Sequence, residues 1–463
     1  MNKPLTLNKT DTIGSAFKLL NGQFGMIVCI LSNDKVLTGV VTEGDLRRAI
    51  LKGFSIDTKL EEVQNINPFY VYESELNTKK IVKSRINLAI DSQLSICPVV
   101  DKNKRLLNIL NEEALTEILQ NQDYKIDFSN EKKPHILVVG GAGYIGSVLT
   151  SHLLKKGLRV KVVDKMLYGK ESVKEFLGNE NFSLIEKDIC DLSVQVEIIK
   201  NIDCVVFLAE IVGDPSCHAK PEDALKTNYL AVSSMANLCS HMNINRFIYT
   251  SSCSVYGSNE KSNDLLEEDS ALNPISHYAR IKTMTEKILF TQPNTLFSPT
   301  ILRLATVCGP SFRHRFDLVA NTFARNAFFN NKINVHGGNQ SRPNIHVDDV
   351  AAAIVKIIDS PLEKVKKQIF NLCNNSQNFS IIELAKITRS IFPNCKIIID
   401  DKVDDQRNYR VSSKKIKNAI NFEASKTVID VFNEFKKIFE EKKISNVYQK
   451  KFSNFATLSN EKL

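Results

Sequence analysis

Tyr278 and Lys282 have the residue types and the spacing of a pair that can move a proton. Residues four apart on a helix project from the same face, so the ammonium group would lie beside the phenol. A neighbouring positive charge favours the phenolate and lowers the tyrosine pKa from about 10 towards neutral. Ser252 ends an apolar run 26 residues earlier, and its hydroxyl could hydrogen-bond the same substrate oxygen. We predict Tyr278 as a general base assisted by Ser252 and Lys282.

A glycine-rich stretch precedes this pair. His135–Ser147 reads HILVVGGAGYIGS, an apolar run of branched residues followed by glycines and then by apolar residues at helical spacing. Strand, glycine turn and helix in this order place a pyrophosphate on a helix N-terminus. Gly140 permits the tight turn, Gly143 lets the backbone approach the phosphates, and Gly146 lets the helix pack closely on the strand.

A carboxylate follows the second predicted strand. Arg159–Val163 is an apolar run that ends in Asp164, eighteen residues past Gly146. A carboxylate at this position hydrogen-bonds the adenosine ribose of a dinucleotide. Asp164 favours NAD over NADP because it repels a 2′-phosphate, although the adjacent Lys165 opposes that preference. The sequence therefore predicts a dinucleotide site with NAD as the cofactor.

The elements that must position these residues alternate between strand and helix patterns from residue 135 onward. Apolar runs at Phe182–Glu186, Cys204–Leu208 and Arg246–Thr250 are separated by helix-compatible stretches. Such alternation is typical of an α/β fold with a doubly wound parallel sheet, the Rossmann type. We expect a catalytic domain over residues 135–440, preceded by a polar linker at 121–134 and followed by a loose polar tail at 441–463.

Residues 1–120 form a separate module with an internal repeat. Each half contains a helix-like segment, two short apolar strands and a further helix. The strands are Met26–Ile30 and Leu37–Val41 in the first half and Ile96–Val100 and Leu106–Leu110 in the second, which continues into a predicted helix at Asn111–Leu119. In the first half Thr42 and Asp45 lie at a strand-to-helix junction, where a hydroxyl and a carboxylate can bind a diol and helix N–H groups face a phosphate.

The run TGVVTEGDLRR, which contains Thr42 and Asp45, resembles one half of a pair of CBS domains. In that family a Thr followed three residues later by Asp holds a nucleotide ribose. The resemblance implies an α/β regulatory module that binds an adenine nucleotide at this junction. The second half has Asn111 and Ala114 at the corresponding positions, so at most one site is expected. The alternative is a docking or dimerising module without a ligand.

Composition excludes several classes of protein. The 463 residues are 43% apolar and 24% charged, which is ordinary for a globular protein of two or three domains. Ten cysteines without a C-x-x-C pair predict neither a metal site nor a disulfide framework. The net charge is +9, but the lysines and arginines do not cluster in a basic stripe, so no nucleic-acid partner is expected. Without a membrane-length apolar run or the apolar core of a signal peptide, the expected location is cytoplasmic, with no membrane partner.

Residues 135–440 resemble an extended short-chain dehydrogenase/reductase of the NAD-dependent sugar-nucleotide epimerase/dehydratase family, with a substrate-binding part mainly at 305–440. The resemblance rests on the glycine turn, the element Ser252–Gly257 and the pair Tyr278 and Lys282. The implied NAD-binding residues are Gly140, Gly143, Tyr144, Ile145, Gly146, Asp164, Lys165, Asp188, Ile189, Leu208, Ala209, Tyr278 and Lys282. The resemblance also implies a homodimer and a nucleotide-diphosphate sugar substrate, whose diphosphate is bound by Arg342 and Arg407.

Departures from the family pattern reduce the number of reactions that are expected. Cys253 and Ser254 stand where 4,6-dehydratases have the Asp-Glu pair that moves protons at C5 and C6, so a dehydratase is not expected. Glu210 stands where a second alanine is usual. The stretch 207–217 resembles a subgroup found among surface-polysaccharide genes.

We therefore predict an NAD-dependent epimerase that acts at C4 of a nucleotide-diphosphate sugar through a keto intermediate. Tyr278 would remove the C4 hydroxyl proton while NAD+ takes the hydride, and the hydride would return to the other face of the ketone. One alternative is a 4-keto reductase or dehydrogenase that uses the same residues with net redox change. An alternative of another class is a non-catalytic nucleotide-sensing protein, which would not need the set of Ser252, Tyr278 and Lys282.

Overall fold

The computed structural model describes residues 4–20, 27–75, 96–111, 134–242, 244–258, 265–292, 297–400 and 407–459. They fall into two compact units, Met1–Tyr124 and Lys125–Leu463, divided within the predicted linker. Most of that linker, the helix predicted after Asn111, Ala114 and Met26 lie outside the described residues.

The first unit contains two three-stranded sheets with the same pattern of pairing. In each sheet the first two strands are parallel and the last two are antiparallel. The strands are β1 (Leu5–Asn8), β2 (Ile27–Leu31) and β3 (Leu37–Thr42), then β4 (Val71–Tyr72), β5 (Ile96–Val100) and β6 (Leu106–Asn111). The described helices are Ile13–Leu20 and Glu43–Leu51, with 3-10 turns at Leu60–Glu62 and Glu73–Glu75. The repeat predicted from the sequence is thus visible in the strands.

A seven-stranded parallel sheet forms the centre of the second unit. Its strands are β7 (His135–Val139), β8 (Arg159–Asp164), β9 (Phe182–Glu186), β10 (Cys204–Phe207), β11 (Arg246–Ser252), β12 (Ser298–Leu304) and β16 (Gln368–Leu372). Their order in the sheet is β16-β12-β11-β10-β7-β8-β9. β8 and β9 lie on one side of β7, and β10, β11, β12 and β16 lie on the other side. This order confirms the predicted doubly wound Rossmann fold, and it opens a crevice beyond β7 and β10.

The central strands are buried on both faces. Ile136 and Val138 belong to one hydrophobic cluster and Leu137 and Val139 to another, and all four are fully buried. A strand covered on both faces needs a continuous apolar run, which explains the sequence of β7. The helices of this part of the second unit are Tyr144–Lys155, Leu192–Ile198, Asp214–Ala219, Pro221–Leu225, Ala231–His241, His277–Phe290, Val347–Asp359, Leu362–Val365 and Lys414–Ile420.

A smaller part of the second unit has its own core, to which Phe323, Phe432 and Phe435 contribute. Its strands are β13 (Thr306–Cys308), β15 (Ser341–His346) and β17 (Asn378–Ser380), in one sheet, and β14 (Lys332–His336) and β18 (Lys396–Asp400), in another. Its longer helices are Val319–Asn330, Ile381–Ile391 and Val428–Glu440. The range 305–440 predicted for substrate binding includes this part, but Val347–Asp359 and β16 within that range return to the main sheet.

The end of the chain is folded where the sequence predicted a loose tail at 441–463. Its described elements are the 3-10 turn Lys450–Phe452 and the helix Asn454–Ser459. Phe316 donates its N–H to the carbonyl of Phe452 at 2.8 Å, and Asn454 donates its N–H to Asp317 at 2.7 Å. The prediction was wrong for 450–459 because a polar composition does not reveal such contacts with distant residues.

The described residues do not meet the requirements for a membrane-spanning helix, a metal site or a disulfide bond. None of the described helices has both the length and the apolar character needed to cross a membrane. Within the same residues, no cluster of three or more His, Cys, Asp or Glu side chains could bind a metal ion. All ten cysteines are free thiols, and nine of them are buried.

Candidate active site

A cavity of about 720 Å³ lies at the carboxyl ends of β7 and β10, where the strand order reverses. Open parallel sheets bind ligands at such a point because the loops after the two central strands diverge there. Predicted residues from distant parts of the chain line this one cavity: Gly140, Gly143, Tyr144, Ile145, Gly146, Leu208, Ser252, Tyr278, Lys282, Arg342 and Arg407.

The glycine turn is packed too closely for side chains. Gly140 has φ +83°, and a Cβ there would lie 2.6 Å from the backbone nitrogen of Ala209. A Cβ on Gly146 would collide with the carbonyl oxygen of Gly140. Gly143 is the N-cap of the helix Tyr144–Lys155 and makes no side-chain cap, which leaves the first-turn N–H groups to a ligand. This turn fits the pyrophosphate of a dinucleotide.

Five of the predicted cofactor residues stand back from the lining of this cavity: Asp164, Lys165, Asp188, Ile189 and Ala209. Asp164 accepts the N–H groups of Ala142 at 3.1 Å and Met166 at 2.8 Å, so it ties the end of β8 to the glycine turn. Burial raises the pKa of Asp164. Asp188 pairs with Lys165, with 3.5 Å between oxygen and nitrogen. Their contacts with a cofactor stay predictions.

The predicted catalytic residues come from two neighbouring elements. Tyr278 and Lys282 lie on the helix His277–Phe290 and are only 7% and 1% exposed. The Lys282 Nζ atom lies 5.5 Å from the centre of the Tyr278 ring. Ser252 ends β11, and its hydroxyl accepts the N–H of Ser254 at 3.2 Å. The phenol, the ammonium and the hydroxyl thus border the same cavity.

Glu210 is the principal partner of Lys282. The two side chains form an ion pair, and both are almost completely buried. Lys282 also donates to the carbonyl of Thr250 at 2.5 Å. The second oxygen of Glu210 accepts the Tyr249 hydroxyl at 2.8 Å. The carboxylate that departs from the family pattern therefore binds the lysine that the sequence predicts as catalytic.

The pKa of Tyr278 is shifted in the direction opposite to the one expected from the sequence. Burial, reinforced by the charge of Glu210, raises the pKa of Tyr278 well above its usual value. Burial also raises the pKa of Glu210 and lowers that of Lys282, while each charge attracts the other. The prediction of a lowered tyrosine pKa is wrong for this structure, because burial, and after it the negative charge of Glu210, raise that pKa.

The two predicted diphosphate-binding arginines are adjacent. Arg342, on β15, donates to the carbonyls of Ser341, at 2.8 Å, and of Arg407. Its guanidinium carbon lies 5.4 Å from the centre of the Tyr409 ring. Arg407 pairs with Asp214 at 2.7 Å. Planar guanidinium groups fixed in this way suit a diphosphate, because their donors match two oxygens at once.

Among the polar residues of the cavity lining that sequence reasoning missed are Arg313, Arg315 and Asn454. The first two follow the Gly309-Pro310 turn after β13, and two closely spaced arginines after such a turn were a usable signal. Asn454 gave no local signal, because it comes from the segment that was predicted to be unfolded. Glu210 was noticed only as a departure from the family.

In the first unit, Thr42 and Asp45 form hydrogen bonds with each other at the start of the helix Glu43–Leu51. The Thr42 hydroxyl accepts the N–H of Asp45 at 3.1 Å, and Asp45 accepts the N–H and the hydroxyl of Thr42 at 2.9 and 2.7 Å. The other Asp45 oxygen pairs with Arg48 at 2.6 Å. Burial tends to raise the pKa of Asp45, but these hydrogen bonds outweigh it and lower the pKa. The predicted nucleotide residues thus form a capping box.

Comparisons with known proteins agree with this geometry. The profile of the NAD dependent epimerase/dehydratase family matches residues 136–373, and that of the CBS domain matches residues 1–52. Protein CapI of Staphylococcus aureus is 31% identical over 266 residues, covering 52% of this chain and 78% of that protein. UDP-glucuronic acid decarboxylase 1 of Xenopus tropicalis is 26% identical over 307 residues, covering 64% and 70%. The crystal structure of a Thermotoga maritima UDP-glucose 4-epimerase with UDP-glucose has a TM-score of 0.60 and 25% identity, covering 67% of this chain and 100% of that one.

Proposed function

Since the chain belongs to the NAD dependent epimerase/dehydratase family, we propose that it interconverts two nucleotide-diphosphate sugars that differ at C4, through a keto intermediate. One observation carries the proposal: Tyr278, Ser252 and Arg342 line a single cavity with the glycine turn. A phenol, a hydroxyl, a diphosphate-binding guanidinium and a dinucleotide site are the groups that reversible oxidation of a sugar carbinol requires.

Each of these residues has a separate task. The glycine turn and the N-terminus of the helix after Gly143 would hold the pyrophosphate of NAD, which would supply an acceptor and donor of hydride for C4. Tyr278 takes the proton of the C4 hydroxyl and returns it when the ketone has turned over. Ser252 holds the same oxygen by a hydrogen bond. Arg342, with Arg407 beside it, retains the diphosphate so that the ketone stays in the cavity while it turns.

In this proposal the negative charge of Glu210 balances the positive charge of Lys282 and contributes to the raised pKa of Tyr278. A tyrosine with a raised pKa is mostly protonated at neutral pH, so activity should rise with pH until the phenol ionises. Lys282 is held by Glu210 and by the Thr250 carbonyl, and its place is fixed before substrate binds. Glu210 is therefore a positioning residue, acting through Lys282 and through its charge.

We propose a uridine diphosphate sugar as the substrate. UDP-glucuronic acid decarboxylase 1 is named for such a sugar, and the Thermotoga maritima epimerase contains UDP-glucose. Cys253 and Ser254 occupy the positions of the dehydratase acid–base pair, and neither supplies a carboxylate. The resemblance of stretch 207–217 to a subgroup found among surface-polysaccharide genes favours a role in surface-polysaccharide sugar-nucleotide metabolism. We also propose that the protein is a homodimer located in the cytoplasm.

Decarboxylation of UDP-glucuronic acid is the second candidate, because a decarboxylase of this sugar is among the relatives. Both reactions begin with oxidation at C4. A ketone at C4 makes a C5 carboxylate a β-keto acid, which loses CO2 readily. The same first step would also serve the predicted 4-keto reductase or dehydrogenase, whereas a nucleotide sensor would bind without turnover.

One experiment separates these candidates. The purified protein is incubated with UDP-, GDP-, dTDP- and CDP-sugars, with and without added NAD, and the products are identified by NMR. A C4 epimer without net NADH supports our proposal. Release of CO2 with a pentose product supports the decarboxylase, and stoichiometric NADH supports the dehydrogenase. An unchanged panel in protein shown to contain NAD favours the sensor.

For the first unit, we propose that an adenine nucleotide binds at Thr42 and Asp45. The match to the CBS domain over residues 1–52 supports this site. A ribose would have to compete with Thr42 for the Asp45 carboxylate, so we expect weaker binding than in the NAD cavity. Calorimetry with AMP, ADP and ATP tests the proposal, and absence of heat with all three would leave a docking or dimerising module.

A further inference from the structure

The C-terminal segment 450–459 forms part of the cavity wall. Leu458 packs against the hydrophobic cluster that contains Tyr278. The backbone N–H of Asn454 is held by Asp317 at 2.7 Å, and the Asn454 side chain lines the cavity. The segment therefore reaches the site from outside the range 136–373 that the family profile matches.

Two buried polar atoms beside this segment lack partners among the described residues: Nε of Arg313 and Oδ1 of Asn454. Both side chains line the cavity and are only 6% and 4% exposed. The neighbouring Arg315 is different, because Asp317 accepts two of its N–H groups at 2.9 and 3.2 Å. Arg313 Nη2 donates to the carbonyl of Lys451 at 3.0 Å, and its guanidinium lies over the ring of Tyr168, 3.7 Å from the ring centre, so Nε is its only buried nitrogen without a partner among the described residues. A donor and an acceptor are thus left for a ligand.

The loop that carries Arg313 is attached to the helix of the glycine turn. The hydroxyl of Ser311 donates to the carbonyl of Tyr144 at 2.6 Å and lies 3.2 Å from the hydroxyl of Ser147. Ser311 also accepts the N–H of Arg313 at 3.2 Å. The two arginines assigned to the substrate diphosphate, Arg342 among them, come from other elements. Ser311 therefore ties the loop of Arg313 to the first turn of the helix that follows the glycine turn.

We propose that Arg313 and Asn454 form a subsite for the dinucleotide, in which Arg313 Nε donates to a phosphate oxygen and Asn454 Oδ1 accepts a ribose hydroxyl. A guanidinium stacked on Tyr168 is pre-oriented, so less freedom is lost when it binds an anion. The helix N-terminus beside it favours negative charge at the same place. The inference rests on NAD as the cofactor and is independent of the reaction at C4.

Binding measurements on the full chain, stripped of nucleotide, test the subsite. Calorimetry gives the affinity for NAD and, separately, for UDP as a probe of the substrate diphosphate. We expect Arg313→Met to weaken NAD about 10- to 100-fold and Asn454→Leu about 5-fold, as loss of a charged and a neutral hydrogen bond predicts. Affinity for UDP should change less than about 2-fold.

Arg325→Met is the matched control. Arg325 lies over the rings of Phe316 and Tyr448, at 5.7 and 4.8 Å from their centres, but does not line the cavity. This variant should bind NAD like the unaltered protein. Unchanged NAD affinity in Arg313→Met, with native circular dichroism, would overturn the proposal. So would a loss confined to UDP, which would assign Arg313 to the substrate diphosphate.

Discussion

Each unit contains a strand that leads into a helix, and the two helices differ in whether side chains cap their N-termini. In the first unit β3 leads into Glu43–Leu51, whose N-cap Thr42 forms a capping box with Asp45. In the second unit β7 leads through the glycine turn into Tyr144–Lys155, whose N-cap Gly143 makes no side-chain cap. The first junction is satisfied by its own side chains, and the second leaves its N–H groups to a ligand.

The pKa values of Asp45 in the first unit and Glu210 in the second are shifted in opposite directions. Asp45 accepts hydrogen bonds from its own junction and its pKa is lowered, although burial acts against this. Glu210, which lines the cavity at the second junction, is buried and its pKa is raised. A site that stabilises its own helix has little left for a ligand, whereas a catalytic site retains unsatisfied or strained groups.

Gly146→Val should have the largest effect, because it blocks the open junction. The new side chain would collide with the carbonyl oxygen of Gly140 and displace the turn. Loss of two or more hydrogen bonds to phosphate predicts NAD binding weakened by about 10³-fold or more in calorimetry. Adenine nucleotide binding by the first unit should be unchanged. NAD affinity within 3-fold of the unaltered protein would contradict the assigned role of the turn.

Gly143→Asp would convert the second junction into a copy of the first. The backbone of Gly143 is extended, and a Cβ there would meet the Gly140 carbonyl oxygen at 3.2 Å, so a side chain needs only a small adjustment. The carboxylate should cap the helix and raise its stability by up to about 1 kcal/mol. It should also repel pyrophosphate and weaken NAD about 100-fold. Thermal unfolding and calorimetry measure both, and tight NAD binding would show that the N–H groups are not used.

Glu210→Gln tests the buried carboxylate that lines the cavity of the second unit. Removing its charge should lower the pKa of Tyr278, so the rising limb of the pH–rate profile should move to lower pH. Tyr249→Phe is the control, because it removes a hydrogen bond to Glu210 and leaves the charge. A merely structural Glu210 would change stability and leave the pH profile in place in both variants.

Thr42→Ala should have the smallest effect, because it opens the closed junction without touching the cavity. Loss of the N-cap should destabilise the first unit by about 1 kcal/mol, with NAD affinity unchanged. The lowered pKa of Asp45 means that its ionised form stabilises the folded unit above the unfolded pKa of about 3.9. That contribution is lost as pH falls through the lower folded value. Thr42→Ala should flatten this acid-side dependence in urea unfolding, and an unaltered dependence would exclude the capping box as its source.

Local patterns in the sequence were sufficient for the Rossmann sheet and the glycine turn. The apolar run of β7, the turn at Gly140 and the four-residue spacing of Tyr278 and Lys282 each depend on neighbouring residues. The pairing of Lys282 with Glu210 joins residues 72 apart, and Asn454 reaches Asp317 across 137 residues. No periodicity encodes such contacts, which is why the raised tyrosine pKa and the folded C-terminal segment could not be predicted.

The central claim is that Tyr278 exchanges the proton of a C4 hydroxyl in an NAD-containing cavity. The direct test compares Tyr278→Phe with the unaltered protein, at equal NAD content, for C4 epimerisation of UDP-sugars followed by NMR. Loss of general base catalysis predicts a rate lower by about 10²- to 10⁴-fold, with UDP affinity preserved. Epimerisation by Tyr278→Phe at the unaltered rate would contradict the account.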